Sequence, residues 1–220
     1  GITGTEVSKE AADMVLVDDN FASIEQAIEE GRTVFNNLKK TILFILPTNG
    51  GECLTLIAAI VLGAILPILP LHILWINLIT TVALAITLAF DPIEPDTMLN
   101  PPRLPNAPLI DRILIWRTVF VSVLMSLGTF GLFELALQSG SSLEAARTTA
   151  VNAIVFFEVF YLLNVRRLSG SVLNRAGLIG NPIVLLGIVA VVLFQAAFTY
   201  WPFLNTLFHT APIGWDAWGI

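Results

Sequence analysis

Basic residues are few in this sequence: Lys and Arg number 11 among 220 residues, against 17 Asp and Glu, for a net charge of -6. Such a balance offers no basic stripe to neutralise phosphates, which excludes nucleic acid as a partner. The acidic residues gather in the first thirty positions rather than in a tail. Cysteine occurs once, at Cys53, so no disulfide can close within the chain and no thiolate cluster can hold a metal. Lying in an apolar run, Cys53 reads as a small buried side chain without a function. The two histidines, His72 and His209, fall in outer loops without clustered ligands, and neither reads as a metal ligand. Charged residues make up only 13% of the chain, about half the roughly 25% of ordinary soluble domains. No basic start, short apolar stretch and cleavage site of a signal peptide stand ahead of the first apolar span.

What the chain has instead is apolar length. Hydrophobic residues are 55% of the total, and they fall into runs near the ~20 residues needed to cross ~30 Å of hydrocarbon. Five spans are placed at about Thr41 to Leu66, Leu71 to Phe90, Ile113 to Leu137, Thr148 to Leu163 and Ile183 to Tyr200. Pro67-Ile68-Leu69-Pro70 makes a tight turn between the first two, and Asp91 to Arg112 is a proline-rich, charged loop outside the lipid. Lys39, Lys40, Arg103, Arg112, Arg117, Arg166, Arg167 and Arg175 then share one side, with only Arg147 on the other. The positive-inside rule puts the N-terminus and the proline-rich loop in the cytoplasm and the C-terminus outside. Trp201, Trp215 and Trp218, near Tyr200, form an outer aromatic belt, and the tail from Ile213 is expected to be poorly anchored.

Ahead of the spans, Thr5 caps a short helix through Lys9 and Ala12. Met14-Val15-Leu16-Val17 reads as a buried strand ended by Asp18-Asp19-Asn20. These residues predict one α/β corner of something larger, too small to bury a core alone. From Ser23, apolar residues recur at helical spacing at Ile24, Ala27, Ile28, Val34, Phe35 and Leu38. Only Gly31 interrupts the pattern before Leu46, so one rod is expected to run from the soluble corner into the bilayer. The fold class is an all-α membrane protein, a bundle of about five transmembrane helices with a long cytoplasmic stalk helix and a small α/β remnant.

Leu46-Pro47-Thr48-Asn49-Gly50-Gly51-Glu52 breaks the pattern of a helix that merely crosses a membrane. A proline inside a helix removes a hydrogen bond and opens carbonyl oxygens where there is no water to satisfy them. Asn49 and Glu52, three positions apart, lie on one helix face. A carboxylate in hydrocarbon costs about 3 kcal/mol on insertion scales and by default marks an ion or proton path. In the second span Asn77, Thr80 and Thr81 share a face that can meet Asn49 and Glu52. In the fourth, Glu158 is again a lone carboxylate in an apolar run, whereas Glu134 lies nearer an outer helix end as an interfacial charge. Carboxylate, amide, hydroxyl and backbone oxygens together suit a hard cation. For Thr80 and Thr81 taken alone, hydrogen-bonded helix glue is the simpler reading.

Several segments resemble the C-terminal third of P-type cation-transporting ATPases, closest in pattern to the calcium-pump-like branch and its bacterial relatives. Gly4 to Asp13 followed by Asp18-Asp19-Asn20-Phe21 is similar to the end of that family's phosphorylation domain. Glu30-Gly31-Arg32 with Asn36-Asn37 is similar to its stalk. The resemblance divides the chain into a phosphorylation-domain remnant (1–21), a stalk helix (22–40) and a cation-transport domain (41–220), with spans similar to the family's fifth to ninth. It implies cation ligands at Asn49, Glu52, Asn77, Thr80 and Glu158. Thr81 stands where calcium pumps carry an aspartate, which removes a negative charge from the site.

The implied function is the membrane portion of an ATP-driven pump for calcium, sodium or potassium in the cell membrane. Its partners would be the cation, the bilayer and the missing N-terminal pump domains. No cofactor is expected in this chain, which lacks the phosphorylated Asp-Lys-Thr-Gly sequence; ATP and Mg2+ belong to the complete pump, and this chain alone should neither hydrolyse ATP nor form an acyl-phosphate. Two other readings stay open: a truncated, non-catalytic five-span membrane protein that acts as a binding or interaction partner, and a passive channel or secondary carrier.

Overall fold

A computed structural model describes residues 2–102, 108–167, 180–214 and 218. Helix α1 spans Glu6–Glu10, with the Thr5 hydroxyl accepting from the Ser8 amide (3.3 Å) as its cap. The predicted strand at Met14 to Val17 does not form, and Met14, Val15 and Val17 are exposed. A strand needs a neighbour for its backbone groups, and no strand occurs among the described residues, so the α/β remnant reduces to α1 and an irregular link. Ser23 donates to Asp18 Oδ2 (2.5 Å) where that link turns into the next helix.

Helix α2 is one piece, Ala22–Leu62. Forty-one residues at 1.5 Å each extend about 60 Å, twice the hydrocarbon thickness, so about half of α2 must project from the bilayer. It stops short of the expected Leu66 because Gly63 takes a left-handed conformation (φ 62°) and Ala64 N closes back on Ala59 O at 2.9 Å. Cys53 is exposed on this helix, not buried as its sequence context suggested.

The remaining long helices are α3 (Pro70–Leu88), α4 (Arg112–Gln138), α5 (Leu143–Val165) and α6 (Pro182–Tyr200). With α2 they make, among the described residues, five helices long and apolar enough to cross a membrane, the number expected, and the protein is a multi-pass membrane protein. Helix α5 starts earlier than Thr148 because Ser142 caps it, accepting from Ala145 N at 3.2 Å. It is the most enclosed, with Ala146, Ala150, Val151, Ile154, Leu162 and Val165 almost wholly buried. Helix α3 is α-helical to Thr80, opens into a π-helical turn over Thr81–Ala85 and recovers at Ile86–Leu88. Gly187 of α6 lies against that turn, where a Cβ would run into the Ala83 carbonyl.

At the opposite end, a short helix α7 (Pro202–Phe208) that the sequence did not announce folds back on the bundle. His72, expected in a loop, lies in the first turn of α3 and is fully buried. Its Nδ1 accepts from Leu69 N (3.1 Å) and its Nε2 donates to Phe208 O (2.8 Å), so it latches α7 to α3. Just ahead of the tail, Thr148 Oγ1 donates to Ala211 O at 2.7 Å, and Ile213, where the tail begins, is buried. Trp218 donates to the Tyr200 hydroxyl (2.8 Å) beside exposed Trp201. Arg103, Arg175 and Trp215 lie outside the described residues.

Candidate cation site

The site is built where α2, α3 and α5 meet. Pro47 sits within α2 without ending it, since neighbouring helices supply the hydrogen bonds it disturbs. Proline has no N–H to give the carbonyl four residues back, and that carbonyl, Leu43 O, accepts instead from the Tyr161 hydroxyl of α5 at 2.9 Å. Ser122 Oγ of α4 donates to Pro47 O at 2.8 Å. Gly50 and Gly51 make this approach possible: a Cβ on Gly51 would lie 2.9 Å from Met125 Cβ, and one on Gly50 would meet Ser122 Oγ. The carbonyl opened by the proline is therefore occupied by Tyr161 and is not turned to the site.

One turn beyond, Glu52 is 2% exposed. Asn77 of α3 donates from Nδ2 to Glu52 Oε2 (2.8 Å) and to Ile73 O (3.1 Å), while Glu52 Oε1 is buried without a hydrogen-bond partner among the described residues. Thr80 donates to Ile76 O at 3.0 Å and stands beside Glu158 of α5 as a hydrogen-bonding neighbour. Glu158 is 1% exposed, its Oε2 is also unpartnered, and its carboxylate lies within electrostatic range of Glu52. Two buried carboxylates thus lie near one another with Asn77 and Thr80 as neighbours, each keeping one oxygen without a hydrogen-bond partner among the described residues.

The other candidates stand at the rim. Asn49 and Thr81 are exposed, and no hydrogen bond joins either side chain to the described residues. The face of α2 that accompanies Glu52 inward carries instead Thr48 and Thr55, 3% and 1% exposed, whose hydroxyls donate to Ile45 O (3.2 Å) and Gly51 O (2.8 Å). Sequence reasoning passed over both, although their spacing from Glu52, four residues before and three after, was a visible signal. Among the described residues no three of His, Cys, Asp and Glu come together, and the polar atoms gathered here are the carboxylates of Glu52 and Glu158, the Asn77 amide and the Thr80 hydroxyl.

A second polar centre lies towards the α2 N-terminal half. Asp91, just past α3, accepts from Lys40 Nζ (3.1 Å), Arg166 Nη2 (3.1 Å) and Asn181 Nδ2 (3.2 Å), and Lys40 also pairs with Glu94 at 3.0 Å. Asn37 Nδ2 donates to Asp91 O at 2.8 Å. Lys40, Asp91 and Arg166 are buried, so this cluster ties α2, α5 and the start of α6 to the segment that leaves α3. The sequence had shown Lys40 and Arg166 only as charges on one side of the membrane. Farther along the stalk, Arg32 donates to Thr97 O and Asn100 O, each at 2.8 Å, and Lys39 pairs with Asp111 at 3.3 Å, so the proline-rich segment rides on α2.

With this geometry in view, comparison with known proteins is informative. The family model described as "Cation transporting ATPase, C-terminus" matches residues 65–220. "Probable cation-transporting ATPase F" of Mycobacterium tuberculosis is 49% identical over 218 residues, 99% of this chain and 24% of that protein. "Cation-transporting ATPase pma1" of Synechocystis sp. is 44% identical over 225 residues, covering 100% of this chain and 25% of the relative. "Calcium-transporting ATPase" of Bacillus subtilis is 36% identical over 223 residues, 99% of this chain and 24% of its own length. The chain therefore spans about a quarter of the length of the curated relatives it matches.

Proposed function

Since the chain belongs to the P-type cation-transporting ATPases and represents their C-terminal part, we propose that it forms the cation-binding and translocation region of an ATP-driven pump. The observation that carries this reading is the pair of buried carboxylates, Glu52 on α2 and Glu158 on α5, close enough to interact electrostatically, each with one oxygen unpartnered among the described residues, beside Asn77 and Thr80. Soft-metal ligands are not gathered there, and hard cations take oxygen donors. Asn49 and Thr81, at the rim, join the ligand set when another helix of the complete pump covers them.

The ion is a small hard cation. Calcium takes about 6 to 8 oxygens and gains affinity with each carboxylate. This site brings two carboxylates, which suits one calcium ion better than two, and sodium or potassium compete as candidates because Thr81 brings no charge. The stalk half of α2 gives the site its link to ATP: tilting a continuous helix changes the packing around Glu52. ATP and Mg2+ act in other domains of the pump.

The test is cation-stimulated ATP hydrolysis by the gene product that carries this chain, purified and reconstituted in lipid vesicles. Calcium, sodium and potassium are titrated separately. Stimulation by one of them, with uptake of that ion into the vesicles, is expected. Ion flux that proceeds without ATP would overturn the pump in favour of a channel or carrier.

A further inference from the structure

We propose that Tyr161 is a positioning residue for the cation site, its hydroxyl standing in for the amide hydrogen that Pro47 lacks and so fixing the course of α2 towards Glu52. The inference rests on the reading of Glu52 and Glu158 as cation ligands and adds to it a residue outside that ligand set.

The geometry is specific. Leu43 O, four residues before Pro47, is the carbonyl a proline at that position must orphan, and the Tyr161 hydroxyl reaches it at 2.9 Å from a different helix. No water is available to that carbonyl inside a bilayer, so its partner must come from the protein. The tyrosine ring is held firmly in place. It is 8% exposed, it stacks on Phe44 with centroids 6.3 Å apart and planes 19° apart, and the Arg117 guanidinium lies 5.5 Å from its centroid. Those two neighbours come from α2 and α4, so the ring is clamped between the helix it donates to and the helix whose Ser122 donates to Pro47 O.

The bond also links the two carboxylates. Tyr161 lies three residues from Glu158 on α5, one turn away on the same side, while Leu43 lies nine residues, roughly 13 Å of helix, before Glu52 on α2. A helix carrying a proline has an extra degree of bending at that point. Pinning Leu43 O to the helix of Glu158 removes it, and the spacing between Glu52 and Glu158 becomes a property of the Tyr161 bond. A helix whose amide ladder is intact would need no such pin, which gives the proposal a sharp test.

The test is a double-mutant cycle in the reconstituted gene product that carries this chain, comparing Tyr161→Phe, Pro47→Ala and the double variant with the parent. Tyr161→Phe keeps the ring and removes the donor. Pro47→Ala returns an N–H to Leu43 O, so the hydroxyl no longer has a vacancy to fill. In the proline background Tyr161→Phe is expected to raise the half-saturating cation concentration about three- to tenfold, the scale of one buried hydrogen bond, with a much smaller change in maximal rate. In the Pro47→Ala background the same substitution should change it by less than about twofold. Thermal unfolding of the same four purified proteins should show the same coupling, with the Tyr161→Phe loss of melting temperature largely removed by Pro47→Ala.

Equal effects in both backgrounds, or an unchanged half-saturating concentration in Tyr161→Phe, would overturn the proposal. Glu52→Gln measured alongside separates the two levels. If it keeps full cation stimulation, the site and this proposal fall together, whereas if it is inactive and Tyr161→Phe is unaltered, only the role of Tyr161 falls.

Discussion

Among the described residues Asn77 gives Glu52 its only hydrogen bond, 2.8 Å from Nδ2 to Oε2 across the α2–α3 contact, and the other oxygen of that buried carboxylate has no donor there. The amide orients the carboxylate without satisfying it. Asn77→Ala should therefore weaken cation activation at least tenfold, because both oxygens lose their orientation, an effect of about 1.4 kcal/mol or more. Titration of the ion against ATP hydrolysis measures it, and an unchanged half-saturating concentration would show that Glu52 is held by other groups.

Thr81 sits exposed at the start of the π-helical turn, at the rim rather than in the centre of the site. Adding a carboxylate there raises the charge of the ligand set, and calcium affinity rises with carboxylate count. Thr81→Asp should strengthen calcium dependence relative to sodium and potassium. Equal titrations for all three ions before and after the change would place Thr81 outside the site.

Asp91 holds Lys40 and Arg166 in a place where neither reaches water. Removing one partner of a buried ion pair leaves an uncompensated charge and typically costs about 3–5 kcal/mol. Asp91→Ala should lower the melting temperature of the purified protein sharply, more than Asp111→Ala at the half-exposed pair with Lys39. Similar melting temperatures for the two variants would mean that water already reaches the cluster.

Asp111 carries a pH signature of its own. The amide of Leu114, donating at 2.7 Å, and then the Lys39 ammonium hold its carboxyl below the usual carboxylate range. A lowered folded value means that the bond to α4 contributes stability above the ordinary carboxylate pKa, about 3.9, and that this contribution is lost as pH falls through the folded value. The side chain is 41% exposed, so the effect is small. Melting temperatures at pH 3 and pH 6 should differ less in Asp111→Asn than in the parent, and an equal difference would remove the cap's role.

How much of this could be read in advance follows the range of each interaction. Hydropathy placed the five long helices, because span length is a property of a local run. The facing of Glu52 and Asn77 was legible too, since helical spacing puts each on a definable side. Tyr161 was not: nothing along the chain says that a tyrosine will reach a carbonyl 118 positions away. Asp91 read as an ordinary loop charge because its burial is made by α2, α5 and α6 together. Met14 to Val17 has the composition of a strand but no partner to pair with, and His72 read as a loop residue because α7, which supplies its acceptor, gave no sequence signal. Asn49 shows the limit of spacing alone, as three residues leave it about 60° round the helix from Glu52, enough to put one outside and the other in.

The most direct test of the cation site is Glu52→Gln in the reconstituted gene product that carries this chain. The substitution keeps size and hydrogen bonding while removing the charge, so folding should survive and cation binding should not. The expected result is loss of cation-stimulated ATP hydrolysis and of ion uptake at concentrations that saturate the parent, with a nearly unchanged melting temperature in the absence of the ion. A Glu52→Gln protein that is stimulated to the same extent at the same ion concentration would contradict it.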